Sequence, residues 1–162
     1  MQSITFKPIG IIHTPFKEIG DMPIQPVAAE GVRGYIELFP EYAEGLSDLD
    51  GFSHIMLLYH FHRNEGYNLK VRPFMDSKER GLFATRAPKR PNGIGLSTVR
   101  LISIESNILQ IEEMDMLDET PLLDIKPFFQ RFDNRHKTKA GWLEKNKYRK
   151  PGGMWSDGRF GR

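Results

Sequence analysis

The chain has 162 residues, of which 39% are hydrophobic, so it is long enough for one domain with a buried core and too short for two ordinary domains. It has no cysteine, which excludes a disulfide framework and a cysteine-based zinc site. No apolar run approaches the roughly 18 residues of a membrane span, and the N-terminus has no apolar signal-peptide core. These features predict a soluble, unsecreted, cytoplasmic protein.

The formal net charge of +2 is unevenly distributed. Residues 131–162 contain ten lysines and arginines against three acids, a net +7, so the rest of the chain carries −5. A basic end on an acidic domain predicts a polyanionic partner, although a solvated basic tail explains the charge equally well. We therefore expect a core domain at 1–130 and a basic C-terminal helix and tail at 131–162.

Short apolar runs rich in β-branched residues predict a chain built mainly of β-strands. The predicted strands span residues 4–14, 32–39, 53–62, 97–106 and 107–114. The strand at 53–62 is apolar on both faces over its first part, which predicts a central position, and the last two strands meet at a hairpin turn at Ser106-Asn107. This pattern predicts a mainly-β barrel or sandwich.

Helical signals are few. A short helix is predicted at 40–45, because Pro40 suits the first turn of a helix. A basic helix is predicted at 133–147 with Asp133 as its N-cap, and Gly141 weakens it.

The most distinctive loop is FATRAPKRPNGIGLS, residues 83–97. Arg86, Lys89 and Arg90 lie among prolines and glycines, which fix an irregular backbone. A rigid loop with arginines can hold a carboxylate or a phosphate through paired hydrogen bonds. A structural loop with solvated charges explains the composition equally well.

A second run, residues 115–128, is rich in carboxylates. Its acids are Asp115, Asp118, Glu119 and Asp124. Such a cluster suits binding of a metal ion, of ribose hydroxyls or of an amine. The acids also suit a purely structural role, in which they cap the backbone of a turn before Thr-Pro. The spacing differs from that of an EF-hand and no histidine is interleaved, so a metal is the least favoured of these interpretations.

His60 and His62 form an H-x-H pattern at the end of a predicted strand. Two imidazoles on one face of a strand are a known zinc arrangement. They also suit the polar mouth of a pocket, which we favour because no carboxylate lies nearby at ligand spacing. The proline-rich segment at 21–30 suits either recognition of an adenine edge or a plain connection.

Several nucleotide-enzyme and hydrolase motifs are absent. The chain has no G-x-G-x-x-G after a strand, no Walker loop, no G-x-S-x-G and no H-E-x-x-H. A nucleotide-dependent enzyme with this sequence therefore needs a site that is not of the Rossmann type.

Five stretches of the sequence occur together in one known family. They are, in order, GIIHTPFKE, PIQP, FSHIMLLYHFHR, GLFATRAPKRPNGIGLSTVRL and MDMLDETPLLDIKPF. On these runs the chain resembles the TsaA-like family over about residues 4–130. The resemblance implies a compact, non-Rossmann β-barrel that forms a homodimer and acts as an S-adenosylmethionine-dependent tRNA methyltransferase. Its implied target is N6 of threonylcarbamoyl-adenosine, next to the anticodon.

The resemblance also assigns residues to the cofactor. The implied cofactor-binding positions are Pro23, Ile24, Gln25, His62, Arg63, Arg86, Leu96, Glu112, Glu113, Met114 and Asp115. Arg86 would grip the cofactor carboxylate and Leu96 would pack on its adenine. His62 or Asp115 is the candidate general base, if the reaction uses one. No metal is expected.

Basic side chains are expected to hold the phosphates of the tRNA anticodon loop. They are Lys89, Arg90, Lys126, Arg131, Arg135, Lys137 and Lys139. Two alternatives belong to other functional classes: a non-catalytic RNA-binding module, and a metal-dependent hydrolase that uses His60, His62 and the acidic cluster.

The chain departs from the family pattern at two positions. Gly93 replaces a proline, which loosens the loop at 83–97. Glu119 replaces a glycine, which adds a carboxylate beside the implied site and is expected to disturb a turn that needs positive φ.

Overall fold

The structure, a computed structural model, describes residues 3–23, 29–74 and 76–146. The strands within these ranges are β1 (Gly10–His13), β2 (Arg33–Leu38), β3 (His54–His60), β4 (Lys70–Val71), β5 (Arg80–Gly81), β6 (Ile94–Glu105), β7 (Ile108–Glu112) and β8 (Thr120–Pro127). None of the helices in the same ranges combines the length and the apolar character that a membrane span requires.

Six strands close into an antiparallel barrel in the order β1-β2-β7-β6-β3-β8. β3 pairs with β6 on one side and with β8 on the other, as expected for the predicted central strand. The closed barrel confirms the predicted mainly-β fold and shows that it is not a sandwich. β4 and β5 form a separate two-stranded ribbon, which the apolar pattern does not predict.

Alternation along the strands places one face of each strand inside the barrel. In β3, Ile55, Leu57 and Tyr59 are buried, whereas His60 at its end is exposed. Other fully buried side chains of the barrel are Ile12, Ile36, Leu109, Ile111 and Leu122. Each large apolar side chain contributes about 1.5–3 kcal/mol on burial, so the barrel interior is the main source of stability.

Most predicted strands are confirmed. The runs at 32–39, 53–62, 97–106 and 107–114 correspond to β2, β3, β6 and β7. Of the strand predicted at 4–14, only Gly10–His13 forms a β-strand, β1. The predicted hairpin turn joins β6 to β7, and Ser106 adopts a φ of 58° there.

β8 is the barrel strand that the sequence does not predict. It begins with Thr-Pro and contains Asp124 and Lys126, a composition typical of turns and exposed segments. Proline cannot donate to a ladder and is tolerated near the start of a strand, where Pro121 lies. Pairing with both β1 and β3 outweighs these local preferences and closes the barrel.

The short helix predicted at 40–45 is present as the 3-10 helix Pro40–Leu46. Pro40 occupies its first turn, as expected. At its other end, the hydroxyl of Ser47 donates a hydrogen bond of 2.8 Å to the carbonyl of Glu44.

The basic helix predicted at 133–147 is wrong. Asp133 is the last residue of a short α-helix, α1 (Gln130–Asp133), instead of the N-cap of a long one. Lys137 and Gly141 both have a φ of 58°, and this left-handed backbone prevents one continuous helix. A separate 3-10 helix follows at Gly141–Asn146. The remainder of the predicted tail lies outside the described residues.

Gly95 in β6 leaves room for the ring of Tyr59. A Cβ on residue 95 would lie 2.2 Å from a ring carbon of Tyr59. That ring is buried, and its hydroxyl is hydrogen-bonded to Ser97, so it cannot move away at low cost. We predict that Gly95→Ala lowers the free energy of unfolding by about 1–3 kcal/mol in urea denaturation. Gly45→Ala, where the added Cβ meets nothing within 4 Å, is the control, and equal losses in both variants would contradict the prediction.

Candidate functional site

A large cavity opens beside the end of β3 and the start of β6. Its volume is about 840 Å³, within the range of about 300–1,000 Å³ that is typical of small-ligand sites. Residues 59 and 61–64, 94–96 and 115–117 form part of its wall. The loop at 83–90 and the 3-10 helix Gly141–Asn146 contribute further lining residues. Three separate barrel segments therefore converge on one site.

Many of the residues predicted to bind the cofactor line this cavity. They are Pro23, His62, Arg63, Arg86, Leu96 and Asp115. Leu96 is 56% exposed, so its side chain is available to a ligand. Ile24 and Gln25 lie outside the described residues. The sequence thus predicts residues that are distant along the chain and that the fold brings together.

Three predicted cofactor-binding residues lie away from the cavity wall. Glu112 at the end of β7 pairs with Arg33 and Arg100, at 3.3 Å and 3.4 Å. Met114 is fully buried in the barrel core. Glu113, between them, has a φ of 70° and donates its N–H to the carbonyl of Val32. Of the run from Glu112 to Asp115, the cavity wall includes Asp115 alone.

Several cavity residues were not predicted. They include Phe61, Phe83, Met116, Leu117, Thr120, Trp142 and Leu143. Met116 and Leu117 directly follow Asp115 in the acid-rich run, so their place next to a predicted site residue indicates that they lie near the site. Trp142 and Leu143 lie in the basic C-terminal part, where no motif marks them.

A chain of hydrogen bonds beside the cavity ends at Asp115. The hydroxyl of Ser97 donates to Asp115 Oδ1 at 2.6 Å. The hydroxyl of Tyr59 lies 3.0 Å from Ser97 Oγ. Burial strongly raises the pKa of Tyr59, so the phenol stays protonated and can donate to Ser97. The chain therefore runs from Tyr59 through Ser97 to an acceptor oxygen of Asp115.

Asp115 has the properties of a proton acceptor near neutral pH. Burial raises its pKa to about 7, although the hydrogen bond from Ser97 and the charge of Arg86 both favour the carboxylate. A carboxyl group with a pKa near the working pH suits general base catalysis.

His62, the other candidate base, lines the cavity next to Arg63. Partial burial lowers the pKa of His62, and the charges of Arg63 and His60 lower it further. Its Nδ1 lies 3.5 Å from the hydroxyl of Thr120, which donates to the carbonyl of Leu117. His62 is therefore neutral at pH 7.

The arginines of the loop at 83–97 have different surroundings. Arg90 donates from Nη1 to the carbonyls of Thr85 and Ala87, at 3.0 Å and 3.2 Å, and lies over the ring of Phe83. Arg90 therefore shapes the loop from within, while its predicted contact with RNA stays a prediction. Arg86 is exposed, lines the cavity and acts electrostatically on Asp115.

The other residues predicted to hold RNA are spread over the surface. Lys126 pairs with Asp124 at 2.7 Å, and Arg135 donates to the carbonyls of Phe132 and Asn134. Arg131, Lys137 and Lys139 are exposed, and Lys89 is half-buried.

The predicted acidic cluster is divided among separate partners. Asp118 accepts a hydrogen bond of 3.0 Å from the N–H of Thr14 and pairs with Lys17. Asp115 is bonded to Ser97 and Asp124 to Lys126. Over the described ranges, no three histidine or acidic side chains come together in a way that would hold a metal ion.

Glu119, where the family pattern has glycine, has a φ of 60°. A side chain in this left-handed region destabilises the folded state by about 1–2 kcal/mol. Glycine avoids this cost, but it loses more conformational entropy on folding, so the net gain from glycine is smaller. We predict that Glu119→Gly raises the free energy of unfolding by about 0.5–1 kcal/mol. Glu79→Gly, an exposed position outside the left-handed region, should lower it instead. A loss of stability in both variants would contradict this account.

Gly93, the other departure, does not depend on positive φ. Its N–H donates to the carbonyl of Arg90 at 3.2 Å, a bond that proline at this position would lose.

The fold and the cavity define a class of protein: a closed β-barrel with a cavity of small-ligand size between its strand ends and the adjoining loops. Residues 11–134 match the model of the tRNA-methyltransferase O N-terminal domain, and the chain belongs to this family. The match covers all six strands of the barrel except the first residue of β1.

Named relatives differ in how much of their length the chain spans. A "probable S-adenosyl-L-methionine-binding protein" from Pyrococcus abyssi is 54% identical, over 97% of this chain and 85% of that protein. The Escherichia coli tRNA (adenine(37)-N6)-methyltransferase is 37% identical, over 79% of this chain and 59% of that enzyme. The crystal structure of TrmO from Pseudomonas aeruginosa has a TM-score of 0.74 and 38% identity, and covers 87% of this chain and 63% of the other.

Proposed function

We propose that the protein is an S-adenosylmethionine-dependent tRNA methyltransferase that methylates N6 of threonylcarbamoyl-adenosine beside the anticodon. The observation that carries the proposal is the joint placement of Arg86, Leu96 and Asp115 in one cavity, with Asp115 held by Ser97. Membership of the family and the names of its relatives support the reaction class.

The residues of the cavity fit the cofactor. An arginine suits its carboxylate, because guanidinium and carboxylate form paired hydrogen bonds. Arg86 lines the cavity and is our candidate for this contact. Leu96 and Ile94 offer exposed apolar surface for the faces of an adenine ring. When bound, S-adenosylmethionine supplies an electrophilic methyl group.

The protein's part in methyl transfer is to position the reactants and to accept a proton. The substrate N6 bears a proton that must leave, and its carbamoyl group makes that departure easier. Asp115 is our candidate acceptor, because it lines the cavity and one of its oxygens is fixed by Ser97. Neutral His62 lies on the same wall and is the second candidate.

The tRNA would approach the open side of the cavity. Exposed cations of the C-terminal part, such as Arg131 and Lys137, would hold its phosphates, with Lys89 nearer the site. The target base lies in a loop that is already largely unpaired, so turning it into the cavity costs less than flipping it from a duplex.

We also propose that the protein acts as a cytoplasmic homodimer. Phe83 and Leu96, which line the cavity, are 76% and 56% exposed, and exposed apolar surface is a common feature of interfaces. Light scattering of the purified protein tests the oligomeric state, and a monomer at working concentrations would contradict this part of the proposal.

The decisive experiment is mass spectrometry of tRNA nucleosides. We expect that incubation with S-adenosylmethionine adds one methyl group to threonylcarbamoyl-adenosine and leaves tRNA without this modification unchanged. Heat-inactivated protein is the control. RNA binding without methylation would favour the non-catalytic alternative, and methylation of a different nucleoside would correct the substrate.

A further inference from the structure

Part of the cavity wall lies outside the matched family domain. The match ends at residue 134, and the 3-10 helix Gly141–Asn146 follows it. Trp142 and Leu143 of this helix line the cavity. We infer that Trp142 and Leu143 are ligand-binding residues of the site and contact S-adenosylmethionine when it is bound; the choice of this ligand rests on the proposed function.

The indole of Trp142 is held in place from two sides. Its Nε1 donates a hydrogen bond of 2.8 Å to the carbonyl of Ala84, in the turn that leads to Arg86. The guanidinium of Arg80 lies 5.5 Å from the indole centroid. Arg80 is fixed in turn by two hydrogen bonds to Asp76, at 2.8 Å and 2.5 Å. The ring is therefore anchored to the part of the wall that carries Arg86.

The backbone of this helix is specified by its own sequence. Gly141 has a φ of 58°, which favours glycine. The N–H of Ala140 donates to the carboxylate of Glu144 at 2.9 Å, and the N–H of Leu143 donates to the carbonyl of Ala140 at 3.2 Å. These hydrogen bonds and the left-handed backbone of Gly141 fix the turn, and therefore the positions of Trp142 and Leu143.

The chemistry of these side chains suits the cofactor. An indole offers a flat aromatic face to an adenine ring and attracts a cation such as a sulfonium. Leu143, 37% exposed, adds aliphatic surface next to it. Phe61 and Phe74 line the same cavity, so Trp142 adds a further aromatic side chain to its lining.

Tryptophan fluorescence tests the contact without any measurement of activity. The chain has two tryptophans, Trp142 and Trp155, so Trp155→Phe makes Trp142 the sole emitter. We expect that titration with S-adenosylmethionine changes its emission saturably, with the dissociation constant that calorimetry gives for the same protein.

Substitution tests the contribution to affinity. We expect Trp142→Ala to weaken binding of S-adenosylmethionine roughly five- to tenfold in calorimetry. Trp142→Phe keeps an aromatic face but loses the hydrogen bond to Ala84, so its affinity should lie between those of Trp142→Ala and the wild type. Phe132→Ala is the matched control, because Phe132 is an exposed aromatic of the same C-terminal part, 67% exposed, that lies away from the cavity wall.

The possible outcomes separate this inference from the proposed function. Calorimetric binding with unchanged Trp142 emission and a wild-type affinity in Trp142→Ala would overturn the inference and leave the proposed function intact. A saturable change in emission without methylation of any tRNA would support the inference and overturn the proposed substrate. If the wild-type protein takes up no S-adenosylmethionine, both fail. The emission titration keeps Trp142 in place, so it decides the question even if Trp142→Ala does not fold.

Discussion

Arg86→Ala is expected to weaken binding of S-adenosylmethionine by roughly one to two orders of magnitude while the barrel stays folded. Arg86 lies in an exposed loop that lines the cavity, away from the packed barrel interior. Charge-assisted, paired hydrogen bonds to a carboxylate contribute about 1.5–3 kcal/mol, which corresponds to roughly a 10- to 150-fold loss of affinity. Calorimetry measures the binding, and circular dichroism with thermal denaturation checks the fold.

Two further variants make the result specific for the arginine. Arg86→Lys keeps the charge and loses the paired geometry, so it should bind with intermediate affinity. Lys89→Ala removes a cation from the same loop at a position that is not part of the cavity wall, and it should bind normally. If Arg86→Ala unfolds the protein, the loop is chiefly structural; if it binds normally, the cofactor carboxylate lies elsewhere.

The sequence predicts most of the barrel because strand periodicity is local information. β3 and β7 are recognised from the apolar residues that face the core. β8 is not, because its stability comes from pairing with β1 and β3, which no local pattern reveals. The predicted C-terminal helix fails because Lys137 adopts a left-handed backbone, which lysine does not prefer and which the sequence therefore does not predict.

The candidate site is predicted only as far as family motifs extend. Arg86, Leu96 and Asp115 lie in long runs that resemble the family, and the structure places all three in one cavity. The hydrogen bonds from Tyr59 to Ser97 and from Ser97 to Asp115 depend on the register of β3 against β6, which pairs Leu57 with Ser97. Register is a property of the folded sheet, so sequence reading cannot supply this chain of bonds.

Asp115→Asn is expected to reduce methyl transfer by about 100-fold or more while S-adenosylmethionine still binds. Loss of a general base typically costs about 10²–10⁴ in rate, and asparagine keeps an oxygen that can accept the hydrogen bond from Ser97. Single-turnover kinetics with saturating tRNA measure the loss. Asp124→Asn, at a surface carboxylate paired with Lys126, is the control and should transfer methyl groups at the wild-type rate.

The same substitution should make the protein more stable at alkaline pH. Burial raises the folded pKa of Asp115 to about 7, above its unfolded value near 4, so the folded state favours the protonated acid. The preference of the folded state for protonated Asp115 contributes fully to the free energy of unfolding below the unfolded pKa. This contribution is lost as the pH rises through about 7. Asparagine stays neutral, so Asp115→Asn should exceed the wild type by about 4 kcal/mol at pH 8 and lie close to it at pH 4 in urea denaturation. Equal pH dependence of the two proteins would show that Asp115 titrates normally.

The pH profile of methyl transfer decides whether this carboxylate is the base. A base works only when deprotonated, so the rate should rise with pH and then level off. The midpoint of this rise should lie near the pKa of Asp115, about 7. Ser97→Ala removes a hydrogen bond that lowers this pKa, so its midpoint should move to higher pH. His62→Gln should keep the wild-type midpoint. A midpoint that moves in His62→Gln and stays in Ser97→Ala would assign the proton to His62. The raised pKa of Asp115 would then reflect only the burial of its carboxyl group at the cavity wall.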